Sequence, residues 1–150
     1  MIVDATASEE IAARHAAWLA AGYHVVSANK AALGGSGRAW SAVQRMRGHE
    51  ASYRDAASVG AGLPVLSTLR RLRDCGDRVL VVEGVFSGSL SWLFNRFDGS
   101  RPFSALLREA RAWGYTEPDP RFDLEGIDVA RKLLILARCA GHELEPGGIE

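Results

Sequence analysis

The sequence predicts an α/β fold, with a parallel sheet in its first part and helices gathered around one further strand in its second. Three observations carry this. Two short apolar segments, 2–5 and 24–27, flank a stretch of helical period, so strand, helix and strand are complete before Lys30. A βαβ unit of this kind sets its two strands parallel by the handedness rule. Residues 78–86 are rich in Val and Leu with partial alternation, which is the pattern of a strand. Near Gly62, Leu63 and Pro64 the βαβ pattern gives way to apolar residues at helical spacing, and this change divides the chain into residues 1–62 and 63–150.

Taken in order, Ile2, Val3, Asp4 and Ala5 form the first strand. Thr6, Ala7 and Ser8 followed by Glu9 and Glu10 read as a capped helix start. The helix runs over 9–21 with Ile11, His15, Trp18 and Leu19 on one side, and Gly22 ends it. The strand 24–27 delivers Lys30 to the crevice beyond the carboxyl ends of a parallel sheet, where ligands bind; the alternative is an exposed lysine that opens a loop. Gly34, Gly35, Ser36 and Gly37 read as a flexible loop, since neither a P-loop nor a G-x-G-x-x-G spacing is present. A helix over 38–47 and a strand over 52–57 follow.

Residues 58–64 then hold two glycines and a proline, which demand a special backbone path: a tight turn, or carbonyls turned toward a ligand or cation. Pro64 fits the first turn of a helix over 65–74 closed by Gly76. Ser87, Gly88 and Ser89 cap a helix whose Leu90, Leu93, Phe94 and Phe97 form a core-facing stripe. Asp98 and Gly99 end it, and Pro102 opens another helix that runs to Trp113.

The most informative stretch starts at Gly114. Pro118 and Pro120 remove backbone donors and bias Glu117 and Asp119 toward extended conformations, giving a stiff acidic loop. Asp123 is placed to cap the helix that follows, in which Ile127, Ala130, Leu134 and Ala137 form the core-facing stripe. Asp128 and Lys132 lie four apart on the neighbouring stripe. One reading is a surface pair worth about 0.3–0.5 kcal/mol. The other follows from the carboxylates of Glu117, Asp123 and Asp128 converging on Lys132 beside apolar residues, since a lysine so held can donate a proton or stabilise developing charge.

Composition narrows the function. With 18 basic and 18 acidic residues among 150, and 47% hydrophobic residues, no basic excess argues for nucleic acid. The apolar run 133–137 is too short for a bilayer, and the first eight residues lack the features of a signal peptide, so the expected location is cytoplasmic. Cys75 and Cys139 read as reduced, structural thiols, and His15, His24, His49 and His142 lack ligand spacing for a transition metal.

Four motifs in correct order then carry a resemblance: Ser27-Ala-Asn-Lys30, Val59-Gly-Ala-Gly-Leu-Pro64, Gly84-Val-Phe-Ser-Gly-Ser-Leu90, and Thr116-Glu-Pro-Asp-Pro120 through Asp128-Val-Ala-Arg-Lys132. Together they resemble homoserine dehydrogenase. The run Phe86-Ser-Gly-Ser-Leu-Ser-Trp-Leu-Phe94 with Phe97-Asp-Gly99 is similar in particular to the dehydrogenase part of the bifunctional aspartate kinase–homoserine dehydrogenase enzymes.

The resemblance implies a Rossmann-like parallel-sheet nucleotide domain followed by an α+β substrate and catalytic domain. Residues 1–62 would be the C-terminal portion of the first and residues 63–150 part of the second. The implied reaction is the interconversion of aspartate 4-semialdehyde and homoserine with NADP or NAD, toward threonine and methionine, in a homo-oligomeric parent. Lys132 falls on the family's proton donor and Lys30 on its second active-site lysine. Glu117, Asp123 and Asp128 match substrate-side carboxylates, while Thr6, Lys30, Gly114 and Glu117 match cofactor-side positions. The carbonyls of Val59, Ala61 and Leu63 match a site for a monovalent cation, Na or K.

Three departures accompany the resemblance. The glycine-rich fingerprint that holds the pyrophosphate is missing, so the chain is expected to be an internal portion of a longer enzyme and inactive by itself. The alternative function is then a module that only folds and self-associates. Ala56 stands where a cation ligand is common, and Phe122 where a polar residue is common.

Overall fold

The computed structural model describes residues 1–47, 50–117 and 119–149. Pro118 and His49, both singled out above, lie outside the described residues. The architecture is α/β, with a small parallel sheet and eight α-helices among the described residues. The described chain forms two compact units, residues 1–82 with 130–150 and residues 83–129.

The first unit is built on a three-stranded sheet in the order β1 (Ile2–Asp4), β2 (Val25–Ser27), β3 (Tyr53–Arg54). Both neighbouring pairs are parallel, as the crossover rule requires, with Asp4 opposite Ser27 at the carboxyl ends. The expected helix over 9–21 breaks at Arg14 into α1 (Glu9–Ala13) and α2 (His15–Ala20). Ser8 caps its start, accepting from the Ile11 amide at 3.3 Å, and Gly22 ends it at φ +82°. The expected strand over 52–57 shortens to Tyr53–Arg54, because the chain turns into a 3₁₀ turn at Ala56–Ser58.

Residues 34–37 depart from the flexible loop expected of them. Gly37 opens α3 (Gly37–Met46), capped by Ser36. A Cβ on Gly34 would sit 2.8 Å from the Arg131 Cβ and 2.9 Å from its carbonyl oxygen, so here glycine permits close packing of two backbones.

The path after Ser58 uses the left-handed region twice in succession, at Gly60 (φ +83°) and Ala61 (φ +49°). It leads into α4 (Val65–Asp74), with Pro64 at its N-cap. The core is made by Leu19, Val25, Leu33, Val43, Leu66 and Leu69 with the last helix, α8 (Ile127–Ala140). On α8 the expected stripe of Ile127, Ala130, Leu134 and Ala137 is replaced: Ile127 is exposed, and Leu134, Ile135, Leu136, Arg138 and Cys139 are all buried. The helix enters the core with its C-terminal half and is enclosed on several sides, which a single-stripe reading does not anticipate.

The second unit is a helical hairpin. α5 (Gly88–Arg96) starts at Ser87, whose hydroxyl accepts from the Leu90 amide at 3.1 Å, and packs on α6 (Phe103–Ala112). Leu93, Leu106 and Ala110 are its core. Only the first half of the expected α5 stripe is covered, since Phe94 and Phe97 stay exposed, Phe94 stacked on Phe103 and Phe97 edge to face with it.

Residues 78–86 are not a strand. They pair with no ladder among the described residues, and Leu80, Val81, Val82 and Val85 are exposed.

Candidate active site

Each expected site residue has a definite setting. In the first unit, Thr6 and Lys30 follow directly on β1 and β2 at the carboxyl ends of parallel strands. This is the edge at which open α/β sheets bind ligands. Thr6 is exposed and Lys30 half-buried. The turn after Lys30 begins with its carbonyl accepting from the Gly34 amide at 2.7 Å, and Gly34 then packs on Arg131, the residue before Lys132. Arg131 also pairs with Glu9 at the start of α1. The structure thus ties the segment of Lys30 to the helix turn of Lys132, which is half-buried. Asp128, exposed, lies one turn earlier on the same helix.

In the second unit, Asp123 does not cap α8. It lies within a separate short helix, α7 (Arg121–Leu124), and its carboxylate has other work. Oδ1 accepts from the Ser89 hydroxyl at 2.6 Å and Oδ2 from the Glu117 amide at 2.8 Å. Asp123 therefore joins the acidic loop to the start of α5, and it leaves the exposed Glu117 side chain projecting from a backbone that is held in place. Gly114, at φ +74°, follows α6 with nothing within 4 Å of a Cβ built on it. Beside it, Trp92, Trp113 and Tyr115 form an aromatic cluster with centroids 5.3–5.9 Å apart, and the Arg96 guanidinium lies 4.4 Å over Trp92.

Of the three carbonyl positions expected to meet a cation, Val59 is buried whereas Ala61 and Leu63 are exposed. The Leu63 carbonyl accepts from the Val65 amide at 2.9 Å, which occupies one of its two lone pairs.

Sequence reasoning missed a buried polar network at the carboxyl end of the sheet. Asp4 and His15 are almost fully buried, with His15 Nε2 2.8 Å from Asp4 Oδ2 and Nδ1 3.0 Å from the Tyr53 hydroxyl. Burial works to raise the Asp4 carboxyl, but donors from Thr6, Asn29 and His15 outweigh it and hold the group below its ordinary 3.8. An ionised Asp4 can only accept, so Nε2 donates to it. Burial, with Asp55 nearby, pushes the Tyr53 hydroxyl well up. The available signal was an aspartate in an otherwise apolar strand.

A second network also went unread. Asp55 is buried and receives Arg47 at 2.5 Å and Arg70 at 2.6 and 2.9 Å.

The parallel sheet, with Thr6 and Lys30 just beyond its carboxyl ends, defines a protein of the α/β class. The homoserine dehydrogenase family model matches residues 64–150, and the chain belongs to that family. It is 49% identical over 146 residues to a chloroplastic bifunctional aspartokinase/homoserine dehydrogenase of Zea mays, a match covering 97% of this chain and 16% of that protein. To the homoserine dehydrogenase of Schizosaccharomyces pombe it is 42% identical over 151 residues, covering 97% and 40% respectively. The chain thus spans well under half the length of these relatives.

Among solved structures, a homoserine dehydrogenase from Thiobacillus denitrificans superposes with a TM-score of 0.74 at 30% identity, covering 97% of this chain and 33% of that one. A hyperthermophilic archaeal homoserine dehydrogenase mutant in complex with NADPH shares the fold, with a TM-score of 0.79, 23% identity, and 94% and 43% covered.

Proposed function

We propose that this chain supplies the lysine-bearing part of a homoserine dehydrogenase, which interconverts aspartate 4-semialdehyde and homoserine. The observation that carries this reading is the family match across residues 64–150, which includes Glu117, Asp128 and Lys132. The packing of Gly34 on Arg131 supports it, by tying the Lys30 segment to the turn that bears Lys132.

In this reading residues 1–62 belong to the nucleotide domain and residues 63–150 to the substrate domain. A nicotinamide dinucleotide, NADP or NAD, supplies the hydride. Thr6, Lys30, Gly114 and Glu117 would hold it, and Thr6 and Lys30 fit such a group because both stand at the carboxyl edge of the parallel sheet. A solved relative is described in complex with NADPH, which supports the cofactor class.

As the aldehyde carbon is reduced, negative charge grows on its oxygen. The Lys132 ammonium stabilises that charge and delivers the proton, and in the oxidative direction its neutral amine accepts the proton back. Lys30 adds a second positive charge. Glu117 and Asp128 serve as anionic partners for the substrate's α-ammonium, and Asp123 acts by holding the Glu117 backbone. The carbonyls of Val59, Ala61 and Leu63 are the candidate ligands for a monovalent cation, on the backbone path that Gly60 and Ala61 bend.

No helix among the described residues is long and apolar enough to cross a membrane. The proposed setting is a cytoplasmic homo-oligomer that binds no nucleic acid, although the Zea mays relative is chloroplastic.

The test is homoserine oxidation with NADP and with NAD, comparing the protein at its full natural length, the 150-residue chain, and Lys132→Ala in each. Activity at full length that the substitution lowers about a hundredfold or more supports the role of Lys132. Unchanged activity in the variant removes that role, and inactivity of the full-length protein removes the reading altogether. Activity in the 150-residue chain would overturn the expectation that it is inactive alone.

A further inference from the structure

The two strands that lead to Thr6 and Lys30 end level with one another, Asp4 opposite Ser27, and the Ala28 amide donates to the Asp4 carbonyl at 3.0 Å. Beyond this point no ladder holds the two departing chains. The buried Asp4 carboxylate does so instead. Its Oδ1 accepts from the Thr6 amide at 2.9 Å and the Thr6 hydroxyl at 2.7 Å. Its Oδ2 accepts from Asn29 Nδ2 at 3.0 Å and His15 Nε2 at 2.8 Å.

Asn29 extends the connection. The same Nδ2 donates to the Ser8 carbonyl at 2.8 Å, its Oδ1 accepts from the Ala31 amide at 3.0 Å, and its own amide donates to the Ser27 hydroxyl at 3.0 Å. The residues on both sides of Lys30 are therefore pinned, and the pin is shared with Thr6.

We infer that Asp4, acting through Thr6 and Asn29, is a positioning residue that holds the Thr6 and Lys30 segments in the one arrangement that receives the cofactor. A single carboxylate with its four acceptor directions filled couples the two loops, so neither can shift without breaking a charge-assisted bond in a buried setting. A hydrophobic residue at position 4 would fill the space but would leave both loops untied and take the acceptor from His15 Nε2 and Asn29 Nδ2. This rests on the dehydrogenase reading above, since it takes Thr6 and Lys30 as cofactor-side residues.

Asp55 provides the internal control. It is a carboxylate of the same depth in the same unit, but its carboxylate oxygens receive the guanidinium groups of Arg47 and Arg70 in place of Thr6 and Asn29. A purely structural role would make the two carboxylates equivalent.

The experiment is NADPH titration by fluorescence and steady-state homoserine oxidation, in the protein at its full natural length, for wild type, Asp4→Asn, Asn29→Ala and Asp55→Asn. Asp4→Asn and Asn29→Ala are expected to weaken NADPH binding about tenfold or more, while the KM for homoserine at saturating cofactor stays within about twofold. Asp55→Asn is expected to lower the melting temperature without that selective loss. If Asp4→Asn does not fold, Asn29→Ala decides. NADPH binding unchanged in Asn29→Ala, or weakened equally by Asp55→Asn, overturns the inference while wild-type binding stands. A wild type that binds no nicotinamide dinucleotide overturns the dehydrogenase reading and the inference with it.

Discussion

Residues 24–27 and 78–86 have similar side chains and opposite fates. In the first stretch, Val25 is fully buried and its strand is paired on both sides, with β1 and with β3. In the second, Leu80 is 80% exposed and Val85 78% exposed, with no strand alongside among the described residues. The difference teaches that β-branched, apolar composition permits an extended conformation without producing a strand. A strand exists only when neighbours accept its amides and cover its faces. The helix–strand units around 24–27 bring those neighbours within the same short length of chain, whereas residues 78–86 have no such partner nearby in sequence.

The comparison can be broken most strongly at the polar end of the paired stretch. Asp4→Ala strips the acceptor from two buried donors, His15 Nε2 and Asn29 Nδ2, and is expected to cost about 3 kcal/mol at about 1–3 kcal/mol each. Urea unfolding of the chain near neutral pH would show it, and a loss within measurement error would mean that the network does not stabilise the sheet. Next comes Val25→Ala, at about 2 kcal/mol for apolar surface lost from a closed site. The same measurement checks it, and a smaller loss than at Leu80 would invert the comparison.

The pH dependence sharpens it further. Because the Asp4 carboxyl is depressed below 3.8 in the folded state, it adds stability above that value and loses it as pH falls through the folded value. The stability gap between wild type and Asp4→Asn should therefore be open near neutrality and close in acid. A gap that widened on acidification would refute the ionised, paired carboxylate. Smallest of all, Leu80→Ala and Val85→Ala should each change stability by less than about 0.5 kcal/mol. Amide exchange should match, slow at Val25, whose amide donates to the Ser52 carbonyl, and fast across 79–85.

Local signals made much of the fold legible. Ser8 before two glutamates, Gly22 after a helical run, and Ser87 before Leu90 each mark a boundary through a bond the residue makes with its own neighbours. Helix α4 runs over Val65–Asp74, the span the spacing anticipates. The family, too, was readable, because its motifs are contiguous.

What went unread depended on distant partners. Asp123 resembles a helix cap in one dimension, yet its carboxylate bonds Ser89, which is 34 residues away. His15 looks like a helix-face residue until Tyr53, 38 positions on, supplies its second hydrogen bond. Gly34 looks flexible until α8 closes upon it.

The sequence by itself determined the helix starts and stops, the parallel hand of the first strands and the homoserine dehydrogenase motifs, because each follows from short-range backbone preference or contiguous chemistry. Tertiary structure alone decided which apolar stretch became a strand, which half of α8 was enclosed, and that one buried carboxylate would tie the Thr6 loop to the Lys30 loop. Those outcomes require groups far apart in the chain to exclude water together, and no local pattern records which groups will meet.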